Sequence, residues 1–283
     1  MNRFAPAVYD WLKRIGGAWL DAVFPPRCAA CNAFFTPPRP VPPLPPLRPD
    51  LVPDLFRRIM APHFCDDCLA DAPVPRPPAC FKCGLLWGRP SHREEICPAC
   101  RSMPKAFGAA RAFGPYEGAL QTAIHAFKYA GRLQLARPLG MLLWAGFRQW
   151  WDPYEFDVVA PVPLHAVKFR ERGFNQSYLM LRIWPKLVEQ TEGRPLKAAI
   201  LRDVLVRSRS TGVQAGMDRE ARAANVRGAF SVPDPDRVGG LAVLLVDDVY
   251  TTGTTADACA RTLMGAGARR VDVLTLAQTP RRV

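Results

Sequence analysis

No stretch of this sequence stays apolar long enough to cross a bilayer, and its N-terminus lacks the unbroken apolar core of a signal peptide. The first residues instead place Phe4, Val8, Trp11, Leu12, Ile15 and Trp19 on one helical stripe, with Asp10, Lys13, Arg14 and Asp21 elsewhere. That pattern predicts an amphipathic docking helix over 1–27 and no stable membrane insertion. A helix lying on a membrane surface is the alternative, although its polar face is not strongly basic. Long basic runs are also missing. Lysine and arginine outnumber the acids 38 to 25, a formal charge of +13, but the cations are scattered. The charge therefore favours polyanions or phosphorylated metabolites without choosing among them. Cysteine is almost absent outside one pattern. Eight of the nine fall in four C-x-x-C pairs, which excludes the framework of a secreted disulfide protein and points to a reducing cytoplasm.

The pairs are Cys28/Cys31, Cys65/Cys68, Cys80/Cys83 and Cys97/Cys100. A two-residue spacer lets both sulfurs of a turn face one ion, so four pairs supply two tetrahedral four-cysteine zinc sites. Consecutive pairing puts Cys28, Cys31, Cys65 and Cys68 on one Zn2+ and Cys80, Cys83, Cys97 and Cys100 on the other; a cross-braced arrangement remains open. With every ligand position filled by cysteine, no place is left for a catalytic water, so both sites read as structural. Asn32 and Gly84, which follow Cys31 and Cys83, tolerate the left-handed backbone that such turns need. This double ribbon is expected over 28–102, interrupted by a proline-rich, polyproline-like insertion at 36–53. Leu55, Phe56, Ile59 and Met60 predict one short helix before Cys65.

Beyond Cys100 the composition changes, and a second domain is expected over 107–283. Leu120, Ile124 and Phe127 step as a helix that Gly131 can close, and Lys128 near its end reads as a solvated cation offsetting the dipole. A second helix carries Leu135, Leu139, Leu142, Leu143 and Phe147. A strand end and turn are expected at Phe113 to Tyr116, and strands at Asp157 to Pro163, Ala229 to Val232, Val243 to Val246 and Val271 to Leu276, with helices between them. Alternating strands and helices predict an α/β fold with a mainly parallel twisted sheet and right-handed crossovers.

The stretch VLLVDDVYTTGTT, 243–255, is the most informative. An apolar strand ends at Asp247 and Asp248, a Thr/Gly loop follows, and a helix starts near Ala256. In an open α/β sheet, ligands lie outside the carboxyl ends of the strands, and a loop feeding a helix N-terminus offers free N–H groups to a phosphate. Past the Val158 strand stand Leu164, His165, Lys168, Arg170, Arg172, Gly173, Asn175 and Gln176, suited to a second anionic group; a solvated helix start would look similar. The segment from Arg202 to Arg227 holds Arg207, Arg209, Thr211 and Gln214 among few large apolar residues. It reads as a basic loop of the kind that can close over a charged substrate.

VDDVYTTGTT resembles the phosphoribosyl-diphosphate (PRPP) binding motif of type I phosphoribosyltransferases. Together with the cysteine pairs, IHAFKYAGR, VPLHAVKFRERGFNQS, RSTGVQAG and REARAANVRGAF, it makes nearly the full chain resemble the ComF family, an amidophosphoribosyltransferase-like group with an N-terminal double zinc ribbon. Tyr250 is bulkier than the aliphatic residue common at that position but suits the ComF branch; the 36–53 insertion and Pro185 are departures outside the motif. The resemblance implies that Asp247 and Asp248 accept the ribose hydroxyls and that Thr251, Thr252, Gly253, Thr254 and Thr255 cradle the 5′-phosphate. Leu164 and His165 would form a pyrophosphate loop, with Lys168, Arg170 and Arg172 neutralising the diphosphate alongside Mg2+. Arg209, Thr211 and Gln214 would belong to a lid, and His165 would be a proton donor. The implied activity is displacement of pyrophosphate from PRPP by a nitrogen acceptor, linked to competence, DNA uptake or nucleotide salvage. The other reading is a non-catalytic PRPP sensor or DNA-uptake accessory protein that binds single-stranded DNA or a competence-machinery partner.

Overall fold

The computed structural model describes residues 25–38, 52–72, 80–85, 95–208 and 228–280. The expected N-terminal helix as far as residue 24, most of the 36–53 insertion and the lid residues Arg209, Thr211 and Gln214 lie outside the described residues, and Arg27 is not helical but pairs with Phe34 in an isolated antiparallel bridge. Among the described residues, three short helices belong to the cysteine-rich part: α1 (Val52–Met60), α2 (Asp66–Ala70) and α3 (Pro98–Ser102). There follow β1 (Ala110–Pro115), α4 (Gly118–Tyr129), α5 (Ala136–Arg148), β2 (Val158–Pro161), α6 (Ala166–Arg172), α7 (Gln176–Leu181) and α8 (Trp184–Glu192). The chain continues through β3 (Ala199–Ile200), β4 (Val206–Arg207), β5 (Phe230–Ser231), β6 (Ala242–Tyr250), α9 (Thr254–Gly265) and β7 (Arg270–Gln278).

Five of the strands form one sheet in the order β1-β7-β6-β2-β3, and every pairing in it is parallel. Parallel neighbours need crossovers, which the intervening helices supply. Strands β4 and β5 form a separate antiparallel pair. Among the described residues no helix is long and apolar enough to cross a membrane.

Central strand β6 is buried on both faces, which explains its continuous apolar run. Leu244 and Val246 join one core cluster, whereas Val243 and Leu245 join the other, as the two-residue side-chain period requires. The first cluster lies under α4, α5, α7 and α8. Leu120, Ile124 and Phe127 of α4 are buried there, and Trp144 packs against Trp184 and Phe147 with ring centroids 4.9 and 5.1 Å apart. Pro138 is the third residue of α5, where its missing N–H costs nothing. Pro185 has a comparable place as the second residue of α8, which follows α7 after a break at Arg182 and Ile183.

The cysteine-rich segments straddle the sheet. Cys28 and the α1 residues Leu55, Phe56, Ile59 and Met60 belong to the α5 face, whereas Cys80, Cys83, Cys97 and Cys100 pack with Phe107, Val271 and Val273 on the α9 face. Asn32 and Gly84 both have left-handed backbones, φ 62° and 70°. At Gly84 a side chain would also collide with the Ala110 carbonyl, 2.7 Å from where a Cβ would stand, so the turn docks directly on β1.

Candidate functional site

The acidic pair does not end its strand. β6 runs on to Tyr250 because β7 extends equally far and keeps pairing with it, Val249 opposite Ala277 and Tyr250 opposite Gln278. The turn is consequently tight, and α9 begins at Thr254, ahead of the expected Ala256. Gly253 takes φ 74°, and a Cβ on it would collide with the Tyr250 hydroxyl, so the loop folds back over the tyrosine ring. That ring meets Phe107 edge to face at 6.3 Å. Thr252 and Thr254 join their hydroxyls at 2.8 Å across the bend.

A cavity of about 270 Å³ opens at the carboxyl ends of β2 and β6. Asp247, Asp248, Thr251, Gly253 and Thr255 line one side, and Leu164, Lys168 and Arg172 line another. Of the remaining expected residues, Thr252 and Thr254 sit in the loop beside it. His165 instead caps α6, its Nδ1 accepting the Val167 N–H at 3.2 Å, and Arg170 lines a neighbouring groove. Tyr116, Lys128, Tyr129, Arg207 and Thr275 also line the cavity. Of these, Lys128, Tyr129 and Arg207 lie in stretches that stood out in the sequence, whereas Tyr116 and Thr275 do not.

Lys128 is not the solvated cation its place near a helix end suggests. Its Nζ reaches Asp248 Oδ1 at 2.7 Å, with the two side chains only 12% and 13% exposed. Burial is the largest influence and depresses the lysine, but the charge and hydrogen bond of Asp248, joined by the Asp247 charge, together outweigh it and hold the ammonium above its ordinary value. Asp247 accepts hydrogen bonds from Ser177 Oγ at 3.3 Å and from the Asp248 N–H at 2.9 Å. Burial, reinforced by the Asp248 charge, pushes its carboxyl up to about 7. Two neighbouring carboxylates thus differ: one is locked in an ion pair, the other poised near neutrality. Opposite them, burial and the nearby Arg172 and Arg207 charges push Lys168 down. Cations crowded against one another are stabilised by a multivalent anion between them. The cavity therefore has an acidic end for hydroxyl donors and a basic end for an anion.

The cysteines form two separate quartets, each with its four Sγ atoms within 4.8 Å of one another: Cys28, Cys31, Cys65, Cys68 and Cys80, Cys83, Cys97, Cys100. Zn–S bonds of about 2.3 Å place tetrahedral sulfurs roughly 3.8 Å apart. Cys31 and Cys65 are 3.7 Å apart and Cys83 and Cys97 3.8 Å, so both sets fit zinc. Backbone N–H groups of Ala30 and Cys65 point at Cys28 Sγ, and those of Cys83 and Cys97 at Cys80 Sγ, which suits thiolate ligands. When bound, zinc supplies a structural cross-link in each quartet.

A parallel sheet of this order, with an acidic pair and Thr/Gly loop on its central strand and two cysteine quartets beside it, defines a type I phosphoribosyltransferase-like protein with a double zinc ribbon. No family model matches the chain. It is 31% identical over 220 residues to the DNA utilization protein YhgH of Salmonella typhi, covering 76% of this chain and 90% of that protein. Competence protein F of Haemophilus influenzae is 26% identical over 200 residues, 69% of this chain and 84% of its own. The chain belongs to the ComF family. Among solved structures, the allosteric regulatory enzyme of purine biosynthesis is 24% identical with a TM-score of 0.29, over 48% of this chain and 24% of that one. The glutamine PRPP amidotransferase of B. subtilis, complexed with ADP and GMP, is 23% identical with a TM-score of 0.28, over 48% of this chain and 25% of that one.

Proposed function

We propose that the cavity binds PRPP and that the protein transfers its phosphoribosyl group to a nitrogen acceptor. The observation that carries this reading is the division of one space of about 270 Å³ into an acidic and a basic end beside a Thr/Gly loop. Ionised carboxylates accept only, which suits Asp247 and Asp248 to the two ribose hydroxyls. Thr251 to Thr255, at the N-terminus of the 12-residue α9, would cradle the 5′-phosphate, with Gly253 allowing close backbone approach. Lys168, Arg172 and Arg207 would meet the diphosphate, and Mg2+ would arrive with the substrate on its phosphate oxygens. The lid residues Arg209, Thr211 and Gln214 would close over it.

In the reaction, the acceptor nitrogen forms a bond to ribose C1 as the C1–O bond to pyrophosphate breaks, with the electron pair leaving on pyrophosphate. Positioning by the carboxylates and cationic stabilisation of the leaving group supply the catalysis, and no covalent enzyme intermediate is needed. His165 spends Nδ1 on the α6 cap, so its only path to a proton-donor role is through Nε2. The relatives' names, competence protein F and DNA utilization protein, support a role in DNA uptake or in salvage of the nucleotides that uptake yields. Calorimetric titration with PRPP and Mg2+ should give a saturable isotherm that disappears in the Asp247→Asn/Asp248→Asn variant; undiminished binding there would sink the assignment. Pyrophosphate release on addition of an acceptor reports turnover separately.

A further inference from the structure

The first cysteine quartet and the cavity meet at α4. This helix carries Lys128 and Tyr129 into the cavity wall at its C-terminal end, and the cysteine-rich segment holds it at both ends. At the N-terminal end, the N-cap Glu117 makes no side-chain cap bond. A helix leaves its first N–H groups without partners, and here the Ala119 N–H donates to the Asp71 carbonyl at 3.0 Å. Asp71 directly follows α2, the helix that contains Cys68. Gly118 permits the approach: its φ is +53°, and a Cβ on it would stand 2.6 Å from both the Asp71 carbonyl oxygen and Oδ2. At the other end Gly131 turns the chain with φ 63°, and the Arg132 N–H closes the last turn by donating to the Ala126 carbonyl at 3.3 Å. The side chain of the same Arg132 donates from Nη2 to Asn32 Oδ1 at 3.0 Å. Asn32 directly follows Cys31, the exposed ligand of the quartet.

We propose that the first zinc ribbon positions one wall of the cavity: Asp71 and Asn32, through Ala119 and Arg132, set where the end of α4 lies and so hold Lys128 and Tyr129 in place. Both contacts come from residues close behind a cysteine ligand, so zinc that orders the two turns orders the helix as well. Lys128 in turn meets Asp248 at 2.7 Å, which links the ribbon to the acidic end of the cavity. The second ribbon is attached differently. Its Lys82 carbonyl accepts the Ala110 N–H of β1 at 2.8 Å, and its Cys83 carbonyl accepts Gln278 Nε2 of β7 at 2.8 Å. A strand is already fixed residue by residue through its ladder, whereas a helix is placed by its packed face and its two ends. Only in the first ribbon does the attachment therefore decide where site residues stand. Neither Asn32 nor Arg132 lines the cavity, so any effect of theirs on a ligand is indirect. The consequence for PRPP rests on the reading of the cavity given above; the bracing of α4 does not.

The test is amide hydrogen exchange from Ile124 to Tyr129 in the zinc-loaded full chain, read by mass spectrometry beside calorimetric titration with PRPP and Mg2+. Asn32→Gly keeps the left-handed turn, which glycine adopts freely, and removes the acceptor; Arg132→Met removes the donor. Each should speed exchange at the end of α4 and weaken PRPP binding about threefold, within the range for one hydrogen bond, with the β6 and β7 amides unchanged. The two changes together should do no more than either alone, and Asn32→Asp, which keeps the acceptor, should restore both readouts. Gly118→Ala should act more strongly, about tenfold, because alanine is strained at positive φ and its Cβ pushes Asp71 away. Chelation that empties only the more exposed quartet should speed the same exchange. Unchanged exchange in both Asn32→Gly and Arg132→Met, additive effects of the two, a rise shared equally by β6 and β7, or zinc loss from the first quartet without effect on α4 would each overturn the proposal. Faster exchange with unaltered PRPP affinity would overturn it too, since the helix end would then move without the site. A wild-type protein that binds no PRPP while its exchange still responds would remove the reading of the cavity and leave the brace.

Discussion

On the α5 face of the sheet the core is thick and aromatic: Trp144, Phe147, Trp184 and Phe156 are buried, and Phe56 and Met60 of α1 add to them. The α9 face is thinner and mostly aliphatic, with Leu263, Val271, Val273 and Cys259, and a large share of its cover comes from Cys80, Cys83, Cys97, Cys100 and Leu85. The two quartets differ accordingly. All four cysteines of the second are buried, whereas in the first Cys31 is exposed and Cys65 and Cys68 are half-buried. A face with few large side chains has less apolar area to stabilise it, so its metal site has to contribute more. The difference teaches that two motifs with identical spacing can carry unequal shares of the fold.

The largest expected effect tests this directly. Cys83→Ser should lower the melting temperature far more than Cys31→Ser, because structural zinc supplies on the order of 10 kcal/mol of folding free energy and the α9 face has little to replace it. A chelator should remove zinc in two phases, the first at the more exposed quartet, with near-native circular dichroism retained until the second. Equal losses in the two variants, or a single release phase, would break the contrast between the faces.

Next in size is the aromatic face itself. Trp184→Ala should cost about 4 kcal/mol in a urea titration, the usual range for deleting a buried aromatic. Trp184 is fully buried and donates its Nε1 hydrogen bond to the Gly140 carbonyl at 3.1 Å. Cys259→Ala, which removes one buried sulfur from the α9 face, should cost only about 1 kcal/mol. A cysteine variant as costly as the tryptophan one would mean that the α9 face is packed to the same depth.

Much of this was legible in the sequence. Two-sided burial of β6 follows from its apolar, β-branched run, and two four-cysteine sites follow from spacing, whereas the choice of consecutive over cross-braced pairing is made only by the fold. Other features depend on long-range contacts that no local pattern carries. The strand continues past Asp248 because β7, on the far side of α9, is long enough to pair with it. Lys128 reads locally as a helix-end cation, and only packing of α4 against the end of β6 turns it into the partner of Asp248. Lys168 and Arg170 are near neighbours on α6, and the helical rotation between them sends them into different cavities even though the sequence groups them. The distribution of the two ribbons over opposite faces likewise depends on where β1 lies in the sheet, which the cysteine spacing does not encode.

The Lys128–Asp248 ion pair should rank third. Lys128→Met leaves a nearly buried carboxylate without its partner, which costs about 3 kcal/mol, whereas Lys128→Met/Asp248→Asn should recover most of it. The interaction energy from that double-mutant cycle measures the pair, and additivity of the two changes would show that they are uncoupled. A ribose bound at Asp248 must share the carboxylate with Lys128, so the single variant should also weaken PRPP binding.

The smallest effect separates Asp247 from its neighbour. Its carboxyl is raised from an ordinary 3.8 to about 7, chiefly by burial and then by the Asp248 charge. A carboxyl raised on folding binds its proton more tightly in the native state, so the stability it contributes is complete below its ordinary value of 3.8 and is lost as pH rises through about 7. Between about pH 5.5 and about pH 8, a range in which the cysteine ligands stay bound to metal, the wild-type melting temperature should fall relative to that of Asp247→Asn. The slope should level off above the titration. Ligand affinity should run the opposite way: a carboxylate accepts both ribose hydroxyls and a carboxylic acid only poorly, so PRPP binding should strengthen through the same interval in wild type and not in the Asn variant. Parallel pH profiles for the two proteins would place the titrating group elsewhere and remove the distinction between the two carboxylates.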